Sequence, residues 1–250
     1  MATDSFKYHH VVITGASSGI GRALALKYAR TSAHLSLTGR NKQRLAEIAQ
    51  ECRNMGPEVT EKVIDVRARD DMHEWLLKMD RTKPIDLLIA NAGVSGGTGA
   101  MDVCETTAQV QEIFDINVTG VFNSIQPLLD PMCARQKGQI VIMSSLASFR
   151  GFPGAPAYCA SKAAVRVYGE GLRGAVSKYN VGVSVICPGF VESSMTAVND
   201  FPMPFLMPAS RAAHIIYNAI GRNRGRVAFP WPMYCLVWAI GALPNWLSHR

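Results

Sequence analysis

The 250-residue chain is poor in charge, with 18% Asp, Glu, Lys and Arg, and holds no segment polar or repetitive enough to stay disordered. No linker and no internal repeat interrupts it. Its six cysteines (Cys52, Cys104, Cys133, Cys159, Cys187, Cys235) are dispersed with no CxxC spacing. That favours reduced core thiols over disulfides or a zinc site. The opening MATDSFKYHH lacks the basic start and apolar stretch of a secretory signal, so the expected location is cytoplasmic. The last fifth has no acidic residue: between Phe201 and Arg250 stand five arginines (Arg211, Arg222, Arg224, Arg226, Arg250), carrying most of a net charge of +7. With the body almost neutral and no row of aromatics interleaved with basic residues, nucleic acid is not an expected partner.

What is present is apolar, at 48% of residues, and ordered by period. Short β-branched runs recur at VVIT (11–14), HLSLT (34–38), KVIDV (62–66), IDLLIA (85–90), QIVIMSS (139–145) and GVSVIC (182–187), with helix-length segments between them. A seventh, RVAFP (226–230), follows a helix starting near Pro208 to Ala212. Runs apolar on both faces and separated by helices predict one α/β domain: a doubly wound parallel sheet of about seven strands with helices on both sides.

The first strand-to-helix turn reads TGASSGIGRALALKYA. Gly15, Gly19 and Gly21 let the chain turn sharply and bring backbone N–H groups and a helix start against a pyrophosphate, as in a Rossmann-like dinucleotide fold. The second strand ends in TGRN, so Gly39 stands where an NAD-preferring fold usually holds an acid, and Arg40 follows. An acid would repel a 2′-phosphate, whereas Arg40, with Arg22 as a second candidate, can pair with it. The predicted cofactor is NADP(H) in preference to NAD(H).

In this order TGASSGIG (14–21), Asp65, ANAG (90–93), Asn117 in FDINVTG, Ser145, Tyr158 and Lys162 in YCASK, and PGFVESS (188–194) resemble the short-chain dehydrogenase/reductase family, from Val11 to about Pro230. The resemblance implies a cofactor site of Gly15, Ser17, Ser18, Gly19, Ile20, Gly21, Arg22 and Arg40 at the phosphates and ribose. It adds Asp65 and Val66 at the adenine, with Asn91, Ala92 and Gly93 at the end of strand four. Pro188, Gly189, Val191 and Ser193 fall by the nicotinamide, with Tyr158 and Lys162 also facing the cofactor. Two departures are visible: Ala90 replaces the commoner asparagine, and Ser193 a threonine that it matches in hydroxyl. The implied catalytic set is Asn117, Ser145, Tyr158 and Lys162. Its chemistry has its own rationale, because a phenol with pKa near ~10 exchanges protons poorly at neutral pH. A lysine one helical turn away should lower that value, Ser145 can hydrogen-bond a substrate oxygen, and Asn117 is expected to position a water. The small residues Ala157, Ala160, Ser161, Ala163 and Ala164 are expected to leave the Tyr158/Lys162 face open.

The expected activity is NADPH-dependent hydride transfer to a carbonyl, reversible as alcohol oxidation, on a small-molecule and hydrophobic substrate. Alternatives are a sugar-nucleotide-modifying enzyme of the same fold and a non-enzymatic NADP-binding sensor or scaffold; the full catalytic set argues against the latter. Residues 1–230 form the expected domain, with a lid over 195–210 whose Met203, Phe205, Leu206 and Met207 either line an apolar pocket or pack inward. Gly169, Gly171 and Gly174 within the YCASK helix imply close packing, on a partner of a homodimer or homotetramer or on the protein's own sheet. The tail, 231–250, with Trp231, Tyr234, Trp238 and Trp246, is too short between Pro232 and Pro244 to span a bilayer, which takes roughly twenty residues. It suits a partner subunit, a pocket wall or peripheral contact with a membrane.

Overall fold

The computed structural model describes residues 8–96, 105–197 and 201–242. Cys104, residues 198–200 of the expected lid, and 243–250 with Trp246 lie outside the described residues. In chain order the strands are β1 (His10–Thr14), β2 (His34–Gly39), β3 (Glu58–Val63), β4 (Leu87–Ala90), β5 (Gly138–Met143), β6 (Val181–Pro188) and β7 (Arg226–Phe229). They form a seven-stranded sheet in the order β3-β2-β1-β4-β5-β6-β7, and every neighbouring pair is parallel. The order reverses between β1 and β4, and it is at the carboxyl ends of those strands that such a sheet opens a crevice.

Helices α1 (Gly19–Ala29), α2 (Lys42–Arg53) and α7 (Ala209–Gly221) cover one face through Leu24, Leu45 and Ile216, all fully buried. On the other face α3 (Arg69–Thr82), α5 (Gly120–Ala134) and α6 (Pro156–Val176) contribute Leu76, Ile125 and Val165. Between α4 (Thr107–Phe114) and α5 the chain makes one wide π-helical turn, Asp115–Thr119.

β1, β2, β4 and β6 are buried along their whole length, which is why their apolar runs announce them. The third strand departs from expectation: it lies at Glu58–Val63, not 62–66. As an edge strand it leaves Glu58, Lys62 and Val63 exposed, so apolarity does not mark it, and Ile64 to Val66 belong to the loop beyond. Gly169 is explained by the protein's own sheet, since a Cβ there would lie 2.6 Å from Val185 Cγ2 and 2.9 Å from Ile142 Cδ1. Gly171 and Gly174 have no such neighbour within 4 Å and face outward.

The tail begins as helix α8 (Trp231–Ala242), which packs on this same domain. Val237 is buried with Leu146, Val185 and Cys187, and Tyr234 meets Phe149 with ring centroids 5.3 Å apart. Its other side exposes Trp231, Leu236 and Trp238. No helix among the described residues is long and apolar enough to cross a membrane.

At the amino ends of the central strands sits a polar cluster. The fully buried His10 ring lies between the Lys83 carbonyl, 2.7 Å from Nδ1, and the Ser36 hydroxyl, 2.8 Å from Nε2. Asp86 accepts from the backbone N–H groups of His9 and His10 and pairs with Lys137 at 2.8 Å. Burial holds the His10 imidazole down at about 4, against an ordinary 6.5.

Candidate active site

The cradle at the carboxyl end of β1 is shaped by missing side chains. Gly15 has φ +65°, and a Cβ on it would lie 2.8 Å from Ala92 Cα; on Gly21 a Cβ would strike the Gly15 carbonyl and sit 2.5 Å from Asn91 Nδ2. Gly19, at φ +52°, has Ser193 in the way, 3.0 Å from such an atom. Only glycine fits where a conformation rare for other residues meets so close an approach. The Asn91 amide donates to the carbonyls of Thr14 (3.0 Å) and Gly15 (3.1 Å), and Thr14 Oγ1 accepts from the backbone N–H groups of Asn91 and Ala92. Asn91 thus ties β1 to β4 across the strand-order reversal.

Helix α1 starts at Gly19 with its flanking Ser18 extended, no side-chain cap, and no acid in its first turn. Its partial positive end and first N–H groups are left for an anion, a fit for the pyrophosphate of a dinucleotide. Ser17 lies under the end of β2, its Oγ 3.1 Å from where a Gly39 Cβ would be. Arg40 is half exposed and only loosely held, 3.7 Å from Glu112; Arg22 pairs with Glu51 across 2.5 Å. Both pairs face solvent, where such contacts are weak enough to yield to a phosphate. Asp65 is gripped by Arg67 through its guanidinium and backbone N–H, which holds the carboxyl below its usual range. Arg67 belongs to none of the motifs that mark the site in the sequence. Val66 is buried against Gly120, and its carbonyl accepts from Asn123 at 2.9 Å.

The catalytic candidates meet where β5 and β6 face α6. Ser145 follows β5 and caps a short 3₁₀ turn, Leu146–Ser148, its Oγ accepting from Ala147 N at 3.1 Å. Its hydroxyl points at the Pro188 carbonyl, 3.5 Å away, and is near enough to the Tyr158 phenol to favour its ionised form. Lys162 is 3% exposed, donates from Nζ to the Met143 carbonyl at 3.1 Å, and lies 5.8 Å from the Tyr158 ring centroid. Ser144 fixes the same turn of helix by donating to the Lys162 carbonyl at 2.8 Å.

Here the structure corrects one expectation. Lys162 does not bring the phenol below its ordinary value in the chain by itself: burial pushes Tyr158 up, and the nearby Ser145 hydroxyl offsets part of the rise. The lysine is perturbed instead, lowered to about 8 by burial.

Asn117 joins β4 to α6. Fully buried in the π turn, it accepts from Val94 N (2.8 Å), and donates to the Val94 carbonyl (2.9 Å) and to Ser161 Oγ (3.0 Å). Ser161 in turn donates to the Tyr158 carbonyl at 2.8 Å. The amide fastens the β4 end to the helix that bears Tyr158. The small residues of that helix divide as well: Ala157 and Ser161 are buried, whereas Ala160 and Ala164 face outward, on the far side from Lys162. Gly93 completes the floor, since a Cβ there would be 3.1 Å from both Asn117 Oδ1 and Lys162 Nζ.

On the remaining side, Gly189 N donates to the Phe229 carbonyl at 2.7 Å. Ser193 N donates to Thr196 Oγ1 at 2.9 Å, closing a tight loop, and Val191 bridges to Met207. Of the expected lid residues Met207 packs into the main core, while Phe205 and Leu206 are exposed. Among the described residues no cluster of His, Cys, Asp and Glu could hold a metal.

A family model described as short chain dehydrogenase matches residues 9–201. The chain belongs to the short chain dehydrogenase family. This member is an oxidoreductase, and the family uses a nicotinamide cofactor. An oxidoreductase of Myxococcus xanthus is 38% identical over 239 residues, 95% of this chain and 94% of that one. The 11-beta-hydroxysteroid dehydrogenase A of Sesamum indicum is 32% identical, over 90% of this short chain dehydrogenase and 71% of its own length. In fold it is similar to a short-chain dehydrogenase of Sphingobium yanoikuyae in complex with NADPH (TM-score 0.82, 24% identity, 96% of each chain). It is also similar to one of Burkholderia phymatum in complex with NAD (TM-score 0.84, 24% identity, 93% and 92% of the chains).

Proposed function

We propose that the protein is an NADPH-dependent reductase of carbonyl compounds, reversible toward secondary alcohols, with Tyr158 as proton donor. The observation that carries this reading is the buried Lys162, 5.8 Å from the Tyr158 ring centroid and against Gly93 at the end of β4, with Ser145 beside the phenol. With its pyrophosphate held by the glycine cradle, a reduced nicotinamide dinucleotide would supply hydride to the carbonyl carbon. Ser145 holds the substrate oxygen and stabilises the charge that develops on it. Tyr158 passes its phenolic proton to that oxygen; burial in the chain by itself makes the phenol a weaker acid, and the ammonium of Lys162 beside it would offset that by favouring the phenolate. Lys162 offers its ammonium to the ribose hydroxyls and to the phenolate left behind, whose charge would in turn favour the protonated lysine. Arg40 and Arg22, each able to leave an exposed carboxylate, support the 2′-phosphate form of the cofactor. A hydrophobic substrate is favoured by the exposed Phe201, Phe205 and Leu206 beyond the Val191–Met207 bridge.

The test is a screen of NADPH consumption against a 3-oxoacyl thioester, a steroid ketone, a long-chain 3-oxo base and a small xenobiotic ketone, with NADH alongside. At least one carbonyl should be reduced, faster with NADPH, and Tyr158→Phe should lower kcat by a factor on the order of 10² to 10⁴. Undiminished turnover by that variant would refute the mechanism, and equal rates with NADH the cofactor preference.

A further inference from the structure

Helix α6, which carries both Tyr158 and Lys162, begins without the means to satisfy itself. Its N-cap position is Ala155, which has no side-chain acceptor, and its first turn contains no acid. A helix start must find partners for its first N–H groups, and buried ones left unpaired are expensive. The partner comes from 52 residues upstream: the two carboxylate oxygens of Glu105 accept, one each, from Ala157 N (3.0 Å) and Tyr158 N (3.2 Å). Glu105 is 8% exposed.

Glu105 is itself held firmly. It directly precedes Thr106, whose side chain forms a reciprocal capping box with Gln109 at the start of α4. Gln109 also reaches back to the Gly96 carbonyl at 3.4 Å. The backbone of the catalytic tyrosine is thus fastened to the connection between β4 and α4 from the amino side by Glu105. Through Asn117 and Ser161 it is fastened a second time, at the Tyr158 carbonyl. Lys162, one turn further on, has separate restraints from Met143 and Ser144.

We propose that Glu105 is a positioning residue for the reaction: it sets the first turn of α6, and through it the reach of the Tyr158 phenol to Ser145, while leaving the lysine and the cofactor cradle unaffected. This rests on the reading of Tyr158 as proton donor. The consequence is asymmetric, because loss of Glu105 should impair the proton-donating step and spare cofactor binding.

The experiment uses the full-length protein with Glu105→Ala, Glu105→Gln and Tyr158→Phe, assayed with NADPH and a steroid ketone or whichever panel carbonyl turns over fastest. Glu105→Ala should lower kcat about 10- to 100-fold with NADPH affinity, read by fluorescence titration, within twofold of the parent. Glu105→Gln, keeping one acceptor oxygen, should recover part of the loss. Incorporated 3-fluorotyrosine supplies a readout independent of turnover: the ¹⁹F resonance assigned to Tyr158 by its absence in Tyr158→Phe should shift or broaden in Glu105→Ala. The NADPH titration also reports that each variant is folded. An unmoved Tyr158 resonance with kcat within twofold of the parent overturns the proposal, as does an equal loss of kcat and NADPH affinity. Should Tyr158→Phe keep full activity, it is the donor assignment that fails, and the fluorine signal alone still decides whether Glu105 positions the ring.

Discussion

Replacing Lys162 by methionine should make the protein more stable and catalytically inert. The ammonium is 3% exposed, hydrogen-bonded to one carbonyl, and lowered from 10.5 to about 8 by burial. At about 1.4 kcal/mol per pKa unit, keeping the charge in the folded chain costs about 3 kcal/mol. Below pH 8 folded and unfolded chains both carry the proton, and that cost is complete. Between pH 8 and 10.5 the folded chain releases its proton first and the cost fades, so stability associated with this group rises with pH and is lost again as pH falls through 8. Methionine fills a similar volume without the charge and forfeits only the bond to Met143, about 1 kcal/mol. The expected net gain is about 2 kcal/mol at pH 7, disappearing by pH 10. Urea unfolding of parent and variant at both pH values, without added cofactor and at equal protein concentration, measures it. A variant no more stable than the parent at pH 7, or an advantage of the same size at pH 10, would refute the argument that a buried ammonium is maintained here against folding. In the carbonyl-reduction assay the same variant should lose activity on the order of 100-fold or more.

The remaining predictions concern the two ends of the sheet. His10, held at about 4 against 6.5 when unfolded, contributes stability that is complete above pH 6.5 and lost as pH falls toward 4. About 1 kcal/mol should be gone by pH 5.5, and His10→Gln should remove that slope when urea midpoints at pH 8 and 5.5 are compared. Gly21→Ala would drive a methyl into the Gly15 carbonyl and Asn91 amide, so NADPH affinity should fall at least about tenfold by fluorescence titration with the far-ultraviolet circular dichroism retained. Affinity matching the parent would show that the cradle does not seat the phosphates.

The sheet was legible in the sequence wherever strands are buried on both faces, because β1, β2, β4, β5 and β6 each coincide with an apolar run. β3 was misplaced for the converse reason: an edge strand with polar, exposed residues carries no such mark. Gly15, Gly19 and Gly21 were readable because their spacing itself encodes the turn. Glu105 and Arg67 were not, since each acts through a partner whose proximity only the fold creates. One signal for Glu105 did exist: Ala155-Pro156 opens a helix with no residue able to cap it, which requires a cap from elsewhere. The one-turn interval from Tyr158 to Lys162 conveys nearness and not burial, and burial sets the direction of both shifts.

The strand order also dictates when the protein becomes itself during synthesis. β1 lies between β2 and β4, so its second hydrogen-bonding edge has no partner until the ribosome has passed Ala90, more than seventy residues after β1 is made. Until then a wholly apolar-flanked edge, Val11 to Ile13, stays unpaired and able to recruit another nascent chain. Fragments ending before β4 should for that reason aggregate, and the turn after β1 lacks the bonds that hold it until Asn91 has emerged to join the two strands.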